Sequence, residues 1–214
     1  MLHDEVLSDE TRRVFGAFGA QPELAGFYLA GGTGVALQLG HRRSLDLDLF
    51  SERPWRLEQV LPALSASGDV VTDRVEPGTF VGTIGGVRVS LFHYPYVLLD
   101  EPLVGHSGLP IASLRDIGCM KLVAIAQRGS RKDFIDLYYL AEAGFTVRGL
   151  LADLSRKMPG VRQNPVHILR SLAYFEDAEA EPDPVMLVPY AWTDVRRYCL
   201  AEAEQLLAEV LEGD

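Results

Sequence analysis

Asp46 and Asp48 stand two positions apart in Leu45-Asp46-Leu47-Asp48-Leu49-Phe50, a run that alternates apolar and acidic residues. A strand with that alternation sends both carboxylates to one face, with Cα atoms roughly 6.5–7 Å apart, and turns Leu45, Leu47 and Leu49 to the other face, into a core. Two carboxylates held side by side repel each other unless a cation lies between them. A hard divalent ion such as Mg²⁺ (or Mn²⁺) prefers oxygen ligands and bridges to phosphate oxygens. Such an ion activates an attacking hydroxyl and neutralises charge on a departing pyrophosphate. Upstream, Gly31-Gly32-Thr33-Gly34 follows the apolar run Gly26-Phe27-Tyr28-Leu29-Ala30 and leads into a helical segment ending near Leu39. Glycines at a strand-to-helix junction leave backbone N–H groups open to an anion and let phosphate approach closely; the Thr33 hydroxyl offers one more hydrogen bond. Arg42 and Arg43, just before the acidic strand, are placed to contact phosphate or the end of an incoming strand. A lone Gly-Gly is an ordinary turn, and a lone Asp-x-Asp is ordinary surface decoration. Their strand–glycine–helix–strand order is what points to a phosphate and metal site.

The elements that must position these groups can be read from periodicity. Residues 9–19 carry Val14, Phe15 and Phe18 at helical spacing. Residues 26–30 and 45–50 read as strands around the glycine turn, and residues 57–66 as a helix ending near Gly68. Three β-rich runs follow at 69–76, 79–84 and 86–93, with Gly85-Gly86 as a tight hairpin turn. After about residue 110 the pattern becomes helical. Ser113-Leu114-Arg115-Asp116 is a capping signal for a helix to Arg128. Further helices are expected at about 132–143, 147–158, 164–175 and 192–211, with Pro182, Pro184 and Pro189 marking an extended connector. The fold class is therefore α+β: a small mixed sheet with flanking helices over residues 1–110, then a helical region over 111–214.

Lys121, Ile125 and Arg128 share one stripe of the first of these helices, and Asp133 and Asp136 share a face of the next. Read from spacing alone, Asp133 is a helix N-terminal acid and Asp136 a surface partner of Lys132.

The 214-residue chain is 48% hydrophobic and 23% charged, the composition of an ordinary soluble globular protein. It has 20 Lys and Arg against 30 Asp and Glu, a formal net charge of −10, which argues against an extended grip on DNA. Contact with a nucleotide, or with an RNA end at a small basic site, remains open. No run approaches the ~20 apolar residues of a membrane span, so no membrane partner is expected. The acidic start Met1-Leu2-His3-Asp4-Glu5 lacks an apolar signal core, and a cytoplasmic protein is expected. Cys119 and Cys199 read as two unpaired reduced thiols. His3, His41, His106 and His167 have no metal-cluster spacing, and Trp55 and Trp192 read as packing residues.

Gly31-Gly32-Thr33-Gly34-Val35-Ala36-Leu37 followed by His41-Arg42-Arg43-Ser44-Leu45-Asp46-Leu47-Asp48-Leu49-Phe50 resembles the first motif of the AbiEii/AbiGii toxin family, within the DNA polymerase β-like nucleotidyltransferase superfamily. Lys132-Asp133-Phe134-Ile135-Asp136-Leu137-Tyr138-Tyr139-Leu140, after a lysine-bearing helix, resembles a second recurring motif of that family. The resemblance covers roughly residues 25–145. It implies transfer of a nucleoside monophosphate from an NTP, with Asp46 and Asp48 as metal-binding carboxylates, Lys121 as a phosphate ligand and Asp136 as an organiser of the site. Lys132 and Asp133 are weaker candidates. It further implies an acceptor such as the tRNA 3′ end, and a toxin of a type IV toxin–antitoxin or abortive-infection system paired with a winged-helix antitoxin.

Superfamily transferases commonly carry a third carboxylate on a neighbouring strand. Residues 86–93, the strand best placed for it, contain no acid, and Ser90 or His93 stands at the expected position. Asp136 is the candidate replacement from the helical half. Two other readings stay open: a catalytically weak nucleotide-binding or interaction protein that retains the fold, and a kinase-like phosphoryl transferase.

Overall fold

Leu47 and Leu49 on one strand, and Val89 and Leu91 on its neighbour, are all buried on one face of a sheet. The computed structural model describes residues 2–105 and 107–212; His106 lies outside the described residues. Among them, β1 (Tyr28–Leu29), β2 (Leu47–Ser51), β3 (Val70–Glu76), β4 (Thr79–Ile84), β5 (Val87–His93), β6 (Leu103–Val104) and β7 (Pro110–Ile111) form a seven-stranded sheet in the order β3-β4-β5-β2-β1-β7-β6. β3, β4 and β5 make an antiparallel meander. β5 then runs parallel to β2, β2 antiparallel to β1, and β1 parallel to β7. Gly85 and Gly86, at φ 53° and 87°, form the two-residue β4–β5 turn, where both central residues need positive φ.

One face of the sheet packs on α1 (Asp9–Gly19) and α3 (Leu57–Ser67). There Val14, Phe15, Phe18, Val60 and Leu64 meet Leu47, Leu49, Val89 and Leu91. Burying side chains of this size is worth roughly 1.5–3 kcal/mol each. Ser8 starts α1 by accepting the Thr11 amide, and Asp9 and Glu10 add negative charge at its amino end. The opposite face carries Asp48, Phe50, Ser90 and Phe92. It looks toward α2 (Gly31–Leu39) and α4 (Leu114–Gln127), and Phe50, Leu114 and Met120 each pack against the buried cluster that includes Tyr28 and Ile117.

A second core lies among α4, α5 (Arg131–Glu142), α6 (Val147–Lys157), α7 (Pro165–Leu172) and α9 (Trp192–Glu212), with α8 (Glu176–Ala180) at its side. Ser113 caps α4 by accepting the Asp116 amide at 3.0 Å, as its spacing suggests. Cys119 and Cys199 are both buried free thiols in this core, and burial pushes each up to about 12. A third, smaller cluster that includes Tyr28, Ala30, Val35, Ile117 and Leu140 joins the sheet and α2 to α4 and α5.

The α+β class with a helical carboxyl-terminal region is what the sequence pattern predicts; several boundaries differ. The strand expected over 26–30 shrinks to Tyr28–Leu29, and that over 45–50 moves to Leu47–Ser51. Leu45 is 60% exposed instead of lying in the core. Side-chain bonds hold its segment where no strand partner does: the Thr11 hydroxyl bonds the Leu45 carbonyl, and the Thr33 hydroxyl bonds that of Asp46. The helix expected over 164–175 stops at Leu172, and α8 follows as a separate turn. β6 and β7 are too short to leave a periodic trace. Among the described residues, no helix is long and apolar enough to cross a membrane.

Candidate functional site

Ala30, the last residue before α2, is extended, and its amide bonds the Asp48 carbonyl at 3.0 Å, fixing the start of the helix beside β2. Gly31 then takes φ +62°, a left-handed conformation that glycine reaches without penalty. A β-carbon on Gly31 would lie 2.8 Å from Asp48 Oδ2, so the Asp48 carboxylate fills the space that any other side chain would need. The amides of Gly31, Gly32 and Thr33 bond no protein acceptor among the described residues, as expected of the first turn of a helix. The Thr33 hydroxyl, expected to face a phosphate, is buried. It shares a hydrogen bond with Ser44 Oγ (2.8 Å) and bonds the Asp46 carbonyl. Thr33 thus ties α2 to the segment that carries Asp46.

Asp48 and Ser90 are register partners in adjacent parallel strands, which sets the Ser90 hydroxyl beside the Asp48 carboxyl, where it lowers that group. Ser90 therefore occupies the place where a third acid was sought. His93, an odd number of positions along the strand, belongs to the face of Val89 and Leu91 and not to that of Asp48. Asp46 is exposed and Asp48 half-buried. Burial pushes the Asp48 carboxyl above the usual range. The Ser90 hydroxyl opposes that push, the Asp46 charge adds to it, and the Lys121 and Arg128 charges oppose it more weakly.

Beneath the α2 amino end lies a buried ionic cluster. Asp136 has no exposed surface; it takes Arg42 Nε on Oδ1 at 2.7 Å, Arg42 Nη2 on Oδ2 at 2.8 Å, His41 Nε2 at 2.8 Å and Lys121 Nζ at 2.6 Å. Lys121 also donates to Asp133 Oδ1 at 2.7 Å; Asp133 accepts from Ser130 Oγ at 2.7 Å and has Arg128 Nε within 3.4 Å. A buried charge is costly unless it is paired and hydrogen-bonded, and here each one is. Burial pushes the Asp136 carboxyl up, but Arg42 and then Lys121 outweigh it and hold the group well below the ordinary carboxylate range. Lys121 and Arg128 likewise hold Asp133 below that range against its burial. The Lys121 ammonium, pushed down by burial, is held above the usual lysine range by Asp133 and Asp136.

This cluster changes how several expected site residues stand. Arg42, read as a phosphate contact, is buried and turned inward, because Asp136 takes its fork and the Arg43 carbonyl takes Nη1 at 3.0 Å. A β-carbon on Gly32 would overlap Arg42 Nη2, so the glycine lets the guanidinium come up under the helix start. Lys121 and Asp136 meet each other instead of projecting separately into a cleft. Asp136, saturated by three cationic or imidazole partners, does not replace the missing strand acid, and it is no surface partner of Lys132. Arg43 and Lys132 are exposed and form no ion pair among the described residues. Sequence reasoning missed the bonds from His41 and Arg42 to Asp136, which span 95 and 94 positions. The signal present was local: Asp133 and Asp136 stand among Phe134, Ile135 and Leu137, all of them buried.

Two carboxylates near enough that the Asp46 charge helps raise Asp48 offer hard oxygen donors that fit a divalent cation taking its remaining ligands from phosphate and water. Among the described residues, no His, Cys, Asp or Glu joins them to make a metal-holding group of three.

Comparison with known proteins covers both halves. The family described as "Nucleotidyl transferase AbiEii toxin, Type IV TA system" matches residues 90–210, more than half of the chain, including α4 and α5 but not the Gly31–Asp48 region. An uncharacterized protein of Aquifex aeolicus is 35% identical over 185 residues, covering 85% of this chain and 88% of that protein. Among solved structures, a putative nucleotidyltransferase from H. pylori superposes with TM-score 0.54 at 17% identity, covering 96% of this chain and 95% of the other. The nucleotidyltransferase toxin MenT4 of Mycobacterium tuberculosis superposes with TM-score 0.54 at 16% identity, covering 92% and 86%. These two likenesses show a shared fold that takes in the sheet, the α2 turn and the helical region together. The family match places the protein: it belongs to the AbiEii nucleotidyltransferase toxin family.

Proposed function

We propose that the protein moves a nucleoside monophosphate from an NTP to an acceptor, with Mg²⁺ or Mn²⁺ held by Asp46 and Asp48. The observation that carries this reading is the Asp48 carboxylate seated against Gly31, at the open amino end of α2 and beside a second carboxylate. In this reading the free amides of Gly31, Gly32 and Thr33 cradle the triphosphate, since an α-helix amino end attracts anions. Thr33 acts by holding Asp46 in place, and Arg42, Lys121 and Asp136 act by holding the first turn of α2 from below. Arg43 and Lys132 are the uncommitted cations available to phosphate or acceptor. When bound, the divalent ion supplies charge neutralisation on the phosphates and activation of the attacking hydroxyl.

The toxin family suggests the 3′ end of a tRNA as acceptor and a winged-helix antitoxin as partner, in the cytoplasm. The halves 1–110 and 111–214 form the cleft in this reading. The protein is incubated with each α-labelled NTP, Mg²⁺ and total RNA. Label on RNA that disappears in Asp46→Asn supports the transferase, and label from the γ-position instead marks a phosphoryl transferase. NTP binding without transfer favours the second reading, a nucleotide-binding protein with weak catalysis, for which the serine at the third-acid position argues.

A further inference from the structure

A groove of about 410 Å³ opens between the end of α4 and α7, lined by Arg128, Gly129, Arg170, Ser171, Tyr174 and Asp177 among others. Its volume falls in the roughly 300–1,000 Å³ range of ligand sites. Three chemistries meet there. Arg170 is exposed and, among the described residues, has no acid within ion-pair distance, although Asp177 lines the same groove. Most arginines of this acidic chain are paired, for example Arg115 with Asp153 and Arg148 with Glu209, so an unpaired one in a concavity stands out. Tyr174 is 53% exposed, and its hydroxyl donates to Glu176 Oε2 at 2.6 Å, which steadies the ring at the lip. Arg128, with a side chain 71% exposed, is shared between the groove and the ionic cluster: it reaches Asp133, which Lys121 bonds in turn. Arg128 is therefore the residue through which the groove touches the floor of the candidate site.

We propose that this groove binds the single-stranded end of the nucleic-acid acceptor, an inference that rests on the transferase reading above. Arg128 and Arg170 take backbone phosphates, Tyr174 offers a face for one base to stack on, and the Asp177 carboxylate accepts from that base's exocyclic amino group. A stacking face beside cations is how single strands are held without a broad basic surface. An acid in the groove opposes phosphate but suits the amino group of cytosine or adenine. The site is local, in keeping with the net charge of −10.

The test is fluorescence anisotropy with the full chain and short fluorescein-labelled oligocytidylate and oligouridylate, without NTP. Arg170→Glu is expected to weaken oligocytidylate binding about 10-fold or more. Tyr174→Ala should weaken it roughly 5- to 30-fold, and Tyr174→Phe should bind like the parent. Arg170→Ala should lower the salt slope by about 0.7, one single-strand phosphate contact. Oligouridylate should bind several-fold less well, and Asp177→Ala should narrow that difference. Unchanged melting temperatures show that these exposed substitutions leave the fold intact. Oligonucleotide binding that is absent, or indifferent to Arg170 and Tyr174, overturns the proposal, as does a partner protein that these substitutions release in its place. If transfer of α-label persists while binding ignores Arg170, the groove fails and the transferase stands. If Arg170-dependent binding occurs without transfer, the groove stands and the transferase reading fails.

Discussion

Arg42 and Asp136, 94 positions apart, face each other through two parallel hydrogen bonds, Nε to Oδ1 at 2.7 Å and Nη2 to Oδ2 at 2.8 Å. The pair is wholly buried and joins the segment before β2 to α5. A bidentate arginine–carboxylate contact fixes direction as well as distance. Gly32 lies directly against the guanidinium, so this contact sets the height at which α2 begins over the helical half.

Asp136→Asn therefore acts on stability before it acts on chemistry. It leaves Arg42 and Lys121 buried with one carboxylate between them, and breaking a buried pair from one side costs about 3–5 kcal/mol. At about 2–4 °C per kcal/mol for a chain of this size, the melting temperature should fall by roughly 10 °C. Arg42→Lys should also destabilise, because an ammonium cannot span both oxygens. A melting temperature within a degree or two of the parent for both variants would show that the cluster carries no net stability.

The ionic cluster was the least legible part of this chain in its sequence, and the reason is physical. Strand and helix periods record which side faces a core, so β3, β4, β5 and α4 came through almost to the residue. The same alternation marked Leu47 and Leu49 for the core, but it failed at Leu45, which is exposed, and Asp46 lies just before β2 and outside it. Which cation meets which acid is fixed only when distant elements dock. Arg42 and Arg43 look alike in sequence, yet one is buried against Asp136 and the other exposed. Thr33 looked like a phosphate ligand because its hydroxyl's true partners, Ser44 and the Asp46 carbonyl, lie across a turn whose path no pattern specifies.

The same cluster sets the pH range of stability. Asp133 and Asp136 are depressed, so their contribution is complete above the unfolded carboxylate value of about 3.9 and is lost as pH falls through their folded values. Lys121 is raised, so its contribution is complete below the unfolded lysine value of about 10.4 and is lost as pH rises through its folded value. Urea midpoints measured across pH should fall at the acid end as Asp133 and Asp136 protonate and at the alkaline end as Lys121 loses its proton. Asp136→Asn should blunt the acid limb, and an unchanged acid limb in that variant counts against the assignment.

Gly31→Ala tests the closeness of α2 to Asp48. The new β-carbon would stand 2.8 Å from Asp48 Oδ2 at a φ of +62°, so strain and contact act together. Alanine at positive φ costs on the order of 1 kcal/mol before any clash is counted. The carboxylate must swing away, and label transfer should fall at least 10-fold while the protein stays folded. Transfer at the parental rate would mean that Asp48 does not need its place beside the α2 turn.

Asp48→Asn should separate stability from activity, because its carboxyl is held above its ordinary value. For a carboxyl raised on folding, ionisation in the folded state is the unfavourable step. The contribution of Asp48 is therefore most favourable below the unfolded value of about 3.9 and declines as pH rises through the folded one. An asparagine keeps the shape and cannot ionise, so at pH 7 the variant should melt a few degrees above the parent, with the difference vanishing at low pH. Mg²⁺ with an NTP should reverse the order, because cation binding relieves the repulsion from Asp46 and stabilises the folded parent by mass action. The asparagine variant should gain little from the same addition and should transfer no label. Scanning calorimetry at several pH values, with and without Mg²⁺ and NTP, reads all of these effects. Equal melting temperatures at every pH, or an equal gain from Mg²⁺ and NTP in both proteins, would remove Asp48 from the metal site.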